Sequence, residues 1–170
     1  WMTLTTGAKL VLIKEDYLGQ PNDFANYLDT HKVTILNTTP SFLEKSEILH
    51  IASLKKIVVS GEECKPKLAA KYVDNYEFYN EYGPTETTVI AIASKVTKEM
   101  TKQSRLTIGT PVSNVKAYIL NKELKLVPIG STGHLYLSGA GVGQGYLSRP
   151  ELTNAHFLDN PYGNGHLYKT

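Results

Sequence analysis

One change of rhythm governs what this sequence can build. Up to about Tyr82 it alternates candidate strands with candidate helices, and after Thr88 it offers short strands separated by turns. Lys9–Lys14 and Val33–Leu36 are short apolar runs that read as buried strands, as do Lys56–Val59 and Tyr76–Tyr79. Between them, Phe24, Tyr27, Leu28 and His31 recur at helical spacing behind Asn22-Asp23, a candidate N-cap. Ser41–Leu49 follows Pro40, and Lys67–Val73 follows Pro66, so both read as helices entered through a proline. Strand–helix alternation predicts a parallel sheet with helices on its faces. In the second half, Val89–Val96, Val115–Leu120, Lys125–Val127 and His134–Ser138 read as strands, and Lys98–Arg105 as a polar loop. Turn residues at Asn121-Lys122, Pro128–Gly130 and Thr132-Gly133 separate them, which predicts antiparallel, barrel-like β structure. The expected fold class is thus α/β over about 1–90, continuing into a mostly antiparallel β subdomain over about 91–170.

Composition excludes several classes. The chain has 170 residues, 41% of them hydrophobic and 20% charged, with a net charge of +2. No basic stripe marks a nucleic-acid partner. No apolar stretch is long enough to span a bilayer, and no charged-then-apolar leader opens the chain. Cys64 is the single cysteine, so an internal disulfide and a cysteine-based zinc site are excluded, and a lone thiol fits a reducing, cytoplasmic location. The five histidines never pair at i, i+4. Asn37-Thr38-Thr39 is a glycosylation sequon by pattern, expected to stay unused without a secretory signal. The chain opens at Trp1-Met2 and stops at Leu167–Thr170 without the polar tails usual at domain ends, so an internal fragment of a longer protein is expected.

The segment richest in chemistry is Asn80-Glu81-Tyr82-Gly83-Pro84-Thr85-Glu86-Thr87-Thr88, just past a strand end. Ligands of open α/β sheets bind outside the carboxyl ends of strands. Gly83-Pro84 turns the chain tightly, Thr85 offers a hydroxyl to a phosphate oxygen, Glu86 offers a hard oxygen suited to Mg²⁺, and Tyr82 offers a flat face to a base. On the residues alone, a plain turn before a Thr-rich strand is an equal reading. Other patterns carry less. Gly139–Gly145 lacks the G-x-G-x-x-G spacing of a dinucleotide loop, Ser53-Leu54-Lys55-Lys56 lacks the partners of a serine–lysine hydrolase, and Ser60-Gly61-Glu62-Glu63 is compatible with a capping box.

Asn80–Glu86 resembles the N-x-Y-G-P-T-E signature of the adenylate-forming superfamily, in its peptide-synthetase form. Gly61-Glu62-Glu63 resembles that family's adenine loop. Gly133–Tyr146 (GHLYLSGAGVGQGY) resembles G-E-L-x-I-x-G-x-G-V-A-R-G-Y. Arg149–Thr153 resembles R-P-x-x-T, and Leu167–Thr170 the start of Y-[KR]-T-G-D. All stand in the family's order. The departures are His134 for Glu, Gly143-Gln144 for Ala-Arg, and the absence of the phosphate-loop lysine, the ribose-binding aspartate and the C-terminal lysine from residues 1–170. Without those groups the fragment is not expected to catalyse alone.

The resemblance implies a partial adenylation (AMP-binding) domain over 1–170, which activates an amino acid with ATP and Mg²⁺ for transfer to a phosphopantetheine carrier. Peptidyl carrier and condensation domains are the implied partners within one polypeptide. Thr85 would touch the α-phosphate and Glu86 would hold Mg²⁺. Asn80 and Tyr82 would meet the adenine, with Gly61, Glu62 and Glu63 on its other face and Glu81 and Gly83 completing the nucleotide side. The amino-acid pocket would be lined by Asn37, Val58, Ser60, Glu81, Gly83, Val89 and Ile90, with the carbonyls of Gly83 and Val89 facing the α-amino group. Two alternatives stay open at this point: an acyl- or aryl-CoA ligase of the same superfamily, and a non-catalytic nucleotide-binding module.

Overall fold

The computed structural model describes residues 2–14, 17, 21–46, 48 and 50–170. The chain divides into two compact units, Trp1–Tyr79 with Lys95–Leu106, and Asn80–Ser94 with Thr107–Thr170. A five-stranded sheet has the order β1 (Ile35–Thr38), β2 (Lys56–Val59), β3 (Glu77–Tyr82), β4 (Ile92–Val96), β5 (Thr110–Pro111). A four-stranded sheet has the order β6 (Val115–Leu120), β7 (His134–Gly139), β9 (His166–Lys169), β8 (Phe157–Asp159).

In the first unit, β1 and β2 pair in parallel, with Ile35 opposite Lys56 and Thr38 opposite Val59. Parallel pairing needs a crossover, and α3 (Pro40–Ser46) lies in the connection between them. Three separate devices start α3: Pro40 occupies its first turn, the Thr39 hydroxyl accepts from Phe42 N (3.3 Å), and the Glu62 carboxylate accepts from Ser41 N (3.0 Å) and Ser41 Oγ (2.7 Å). After the four-residue α1 (Met2–Thr5), α2 (Pro21–Thr30) turns Phe24 and Leu28, four residues apart, into the core beside Leu43, Ile57, Val59, Leu68, Tyr72 and Phe78. Tyr72 stacks on Phe78 with ring centroids 6.2 Å apart, and the Tyr76 hydroxyl accepts from Ile51 N at 2.8 Å, satisfying a buried amide.

The second unit is organised by β7. It pairs antiparallel with β6 along six residues, from Val115 opposite Gly139 to Leu120 opposite His134, and with β9 at Tyr136–Lys169 and Leu137–Tyr168. β9 pairs antiparallel with β8, so Phe157 lies opposite Tyr168. α5 (Pro150–His156) runs directly into β8. Buried Ala91, Ile92 and Leu137 make one apolar cluster in this unit, and Leu120, Tyr136 and Leu167 another.

Several expected boundaries shift. Lys56–Val59 and Val115–Leu120 are strands as read, but Lys9–Lys14 is not: Leu10 and Leu12 are 53% and 75% exposed. An apolar run becomes a strand only with a partner to pair with. Lys125–Val127 shrinks to a single bridge between Leu120 and Leu126. The strand expected from Val89 begins at Ile92, because Thr88 and Val89 hold φ of 60° and 68°, outside the extended region. Lys98–Arg105 contains a one-turn 3₁₀ helix at Met100–Lys102, and α4 is short, Pro66–Ala69. The expected helix over Ser41–Leu49 is seen to Ser46, with Glu47 and Leu49 outside the described residues, as is the Asn22 side chain.

Candidate active site

The centre of the site is a loop that leaves β3 and returns to β4. It is closed at its base by Ala91 N donating to Tyr82 O at 2.9 Å. Gly83 follows at once. A Cβ there would collide with the Val89 carbonyl oxygen and lie 2.8 Å from both Ala91 N and Ile90 Cα. Only glycine lets the two limbs of the loop come this close. Pro84 then caps a 3₁₀ turn, Thr85–Thr87, in which Thr87 N and Thr87 Oγ1 both donate to Pro84 O (3.0 and 3.2 Å). Thr88 and Val89 complete the return in the left-handed region, a costly conformation for two β-branched residues in a row. The outcome is a tight loop with Thr85 exposed, Glu86 half-buried and Thr87 buried at its centre.

A second loop, between β7 and α5, fastens onto the first. Gly143 N donates to Glu86 O (2.8 Å), and Thr88 Oγ1 donates to Gly141 O (2.7 Å). The Tyr146 hydroxyl donates to Glu86 Oε1 at 2.5 Å, a charge-assisted bond. Tyr146 is itself held. Its N–H donates to Thr153 Oγ1 (2.9 Å), and its ring meets Phe157 edge-on with centroids 5.4 Å apart. Gly145 permits this: at φ 137°, a Cβ would overlap the Thr153 side chain. The Tyr146 hydroxyl holds the Glu86 carboxyl below the usual carboxylate range, with further lowering from the Tyr168 hydroxyl and His156. The same contact raises Tyr146, whereas burial first, and these hydroxyl contacts second, raise Tyr168. His156 stacks on Tyr168 and donates from Nδ1 to Lys169 O at 3.2 Å.

The other residues expected in the site lie near this pair of loops or in the first unit. Asn80 is 5% exposed and donates from Nδ2 to Thr107 O (3.1 Å), so its Oδ1 is the acceptor it can offer a ligand. Tyr82 is half-buried against Ala91, Ile92 and Leu137. Gly83, Val89 and Ile90 are brought together by the loop closure, and Glu81 precedes them on β3. In the first unit, Asn37 lies opposite Val58 in the β1–β2 register, and Ser60 N donates to Thr38 O at 3.2 Å. Asn37 is exposed and Val58 buried. Gly61, Glu62 and Glu63 form the exposed turn after β2. Ser60 and Glu63 do not form a capping box: α4 begins behind Lys65 with no side-chain cap, and the neighbouring Glu62 caps α3 through Ser41.

Tyr146 and Tyr168 stand within the motifs of the second half, but nothing in those motifs marks either as a partner of Glu86. A carboxylate expected to stay ionised needs donors, which was the available signal. His134 and Gln144 are exposed, where substitution disturbs little packing.

No group of three or more His, Cys, Asp or Glu residues suited to a metal occurs among the described residues. Mg²⁺ in nucleotide sites is held by one or two carboxylates together with phosphates, and an ionised, hydrogen-bonded Glu86 fits that pattern. No helix among the described residues is long and apolar enough to cross a membrane.

Comparison with known proteins gives one consistent neighbourhood. The sequence model of the AMP-binding enzyme family matches residues 1–147. Gramicidin S synthase 1 of Brevibacillus brevis is 36% identical across 100% of this chain, and bacitracin synthase 3 of Bacillus licheniformis 39% identical across 99%. The chain spans 16% of the former and 3% of the latter. Among solved structures, the four-domain nonribosomal peptide synthetase AB3403 bound to AMP and glycine superposes with a TM-score of 0.86 at 30% identity, over 96% of this chain and 13% of that one. The N-terminal subdomain of Klebsiella oxytoca NpsA, in complex with 3-hydroxybenzoyl-AMSN, gives 0.81 at 29% identity, over 100% of this chain and 45% of that one.

Proposed function

The chain belongs to the AMP-binding enzyme family, and from that premise we propose that it is the part of an adenylation domain that activates an amino acid as its aminoacyl adenylate. The observation that carries this reading is the Tyr82–Ala91 loop, which sets Thr85 and Glu86 at a turn so tight that Gly83 admits no side chain. Residue identity supports it: gramicidin S synthase 1 and bacitracin synthase 3 match 100% and 99% of the chain at 36% and 39% identity.

The reaction needs no protein nucleophile. A carboxylate oxygen of the amino acid attacks the α-phosphorus of ATP, the bond to the bridging oxygen breaks, and pyrophosphate leaves. Catalysis then comes from holding the reactants in line and from offsetting charge as it develops. Thr85 donates its hydroxyl toward the α-phosphate. Asn80 presents Oδ1 to the adenine amino group, its own amide fixed by Thr107 O. The resemblance assigns both Tyr82 and the turn Gly61–Glu63 to the base. Glu86 is the residue that would hold Mg²⁺, and the cation would supply neutralisation of phosphate charge. The resemblance assigns Asn37, Val58 and Ser60 of the first unit and Glu81, Val89 and Ile90 of the second to the amino-acid side chain, and the carbonyls of Gly83 and Val89 to its α-amino group. The product is handed to a phosphopantetheine thiol on a carrier domain, with carrier and condensation domains in the same polypeptide. The AMP and glycine bound to AB3403 support the choice of an amino acid as substrate.

The test is ATP–pyrophosphate exchange by the intact parent protein over a panel of amino acids and simple carboxylic acids. Exchange driven by one or a few amino acids is expected. Exchange only with acids lacking an α-amino group moves the protein to the acyl- and aryl-activating branch, and no exchange with any acid rejects the activating role.

A further inference from the structure

Glu86 is a single carboxylate asked to organise a doubly charged cation, and a glutamate has three rotatable side-chain bonds through which to miss. Its main chain is pinned by Gly143 N on Glu86 O, and its side chain meets a hydroxyl that is itself immobilised at several points. The Tyr146 main-chain N–H is bonded to Thr153 Oγ1, and its ring is wedged edge-on between Phe157 (5.4 Å, 78°) and His156 (6.3 Å, 88°). That is more restraint than a surface tyrosine needs for packing, and it is aimed at one carboxylate oxygen.

We infer that Tyr146 is a positioning residue for adenylation, whose hydroxyl fixes one oxygen of Glu86 so that the carboxylate is presented to the cation in a single orientation. The inference rests on the reading of Glu86 as the cation-holding residue. Hydrogen-bond partners of metal ligands act this way generally, by orienting the ligand and prepaying its ordering, and their loss typically weakens the metal 10- to 100-fold. Tyr146 touches neither substrate nor reacting atoms in this role; it works through Glu86.

The experiment compares the intact parent protein with its Tyr146→Phe, Glu86→Gln and Tyr162→Phe variants. Tyr146→Phe removes the hydroxyl and keeps the ring against Phe157 and His156. Tyr162→Phe removes an equally good hydroxyl bond in the same unit, to Leu124 O at 2.7 Å, that does not involve Glu86. The readout is the Mn²⁺ dissociation constant by electron paramagnetic resonance, measured with a non-hydrolysable ATP analogue present. Tyr146→Phe is expected to raise it about tenfold, with Tyr162→Phe unchanged. The midpoint for Mg²⁺ in pyrophosphate exchange should rise in parallel, while the KM for the amino acid stays put. An unchanged Mn²⁺ constant in Tyr146→Phe beside a weakened one in Glu86→Gln overturns the inference and leaves Glu86 as the cation residue. If Glu86→Gln itself binds Mn²⁺ like the parent, the cation role of Glu86 falls and the inference falls with it. An equal loss in Tyr162→Phe also overturns it, since the effect is then one of general stability.

Discussion

At the scale of single residues, Gly83 carries the heaviest constraint. The atoms that a methyl group would strike are backbone atoms of Val89, Ile90 and Ala91, which cannot swing aside as a flexible side chain could. Gly83→Ala should therefore cost about 1–3 kcal/mol of stability, the usual range for overpacking, and distort the turn that bears Thr85 and Glu86. Urea denaturation together with pyrophosphate exchange checks this; a variant with the parent's midpoint and rate shows that the limbs of the loop are not so close. The chemistry of Thr85 and Glu86 was legible from residue type, because few side chains suit a phosphate and a hard cation. Tyr146 and Tyr168 were not legible as their companions. Sixty residues separate Tyr146 from Glu86, and the sheet pairing of Tyr168 with Leu137 and Phe157 brings that end of the chain back.

At the scale of elements, α3 shows how a short helix is held by what lies outside it. Seven residues cannot sustain a helix on propensity, and Glu62, from the turn after β2, closes the first amide of α3 from 21 residues away. Glu62→Ala should free Ser41 N and speed its hydrogen exchange about fivefold, the equivalent of a typical lost cap, while amides of α2 keep their rates. Unchanged exchange at Ser41 would mean that Pro40 and Thr39 suffice. The same dependence on distant partners explains what the sequence revealed about the elements. β2 and β6 were readable because each is an apolar or alternating run bounded by turns, and each found a partner. Lys9–Lys14 has the same local pattern with no strand beside it among the described residues. α5 hid because Pro150–His156 has no apolar stripe: it buries none of its residues and is set by Pro150 and by the Thr153 contacts with Tyr146.

At the scale of the whole molecule, Cys64 offers a probe of the first unit's integrity. It is 3% exposed within the main core, and burial pushes its thiol from 9.0 up to about 11. Between those values the unfolded chain has released a proton that the native chain keeps, so stability is full below about pH 9 and falls as pH rises toward 11. The urea midpoint of the parent should drop more between about pH 8 and about pH 10 than that of Cys64→Ala, which has no thiol to ionise. Equal drops in the two would show that the thiol is hydrated in the native state. In the second unit, the Tyr82–Ala91 and Gly139–Tyr146 loops are stitched together by Gly143 N on Glu86 O and Thr88 Oγ1 on Gly141 O. Anyone building hybrids of this protein with a relative meets a rule there. A crossover placed between residues 91 and 139 joins half of the stitching from one parent to half from the other, and the backbone bond survives while the threonine and tyrosine bonds depend on what the second parent supplies. Hybrids that inherit both loops from one source keep the seam whole.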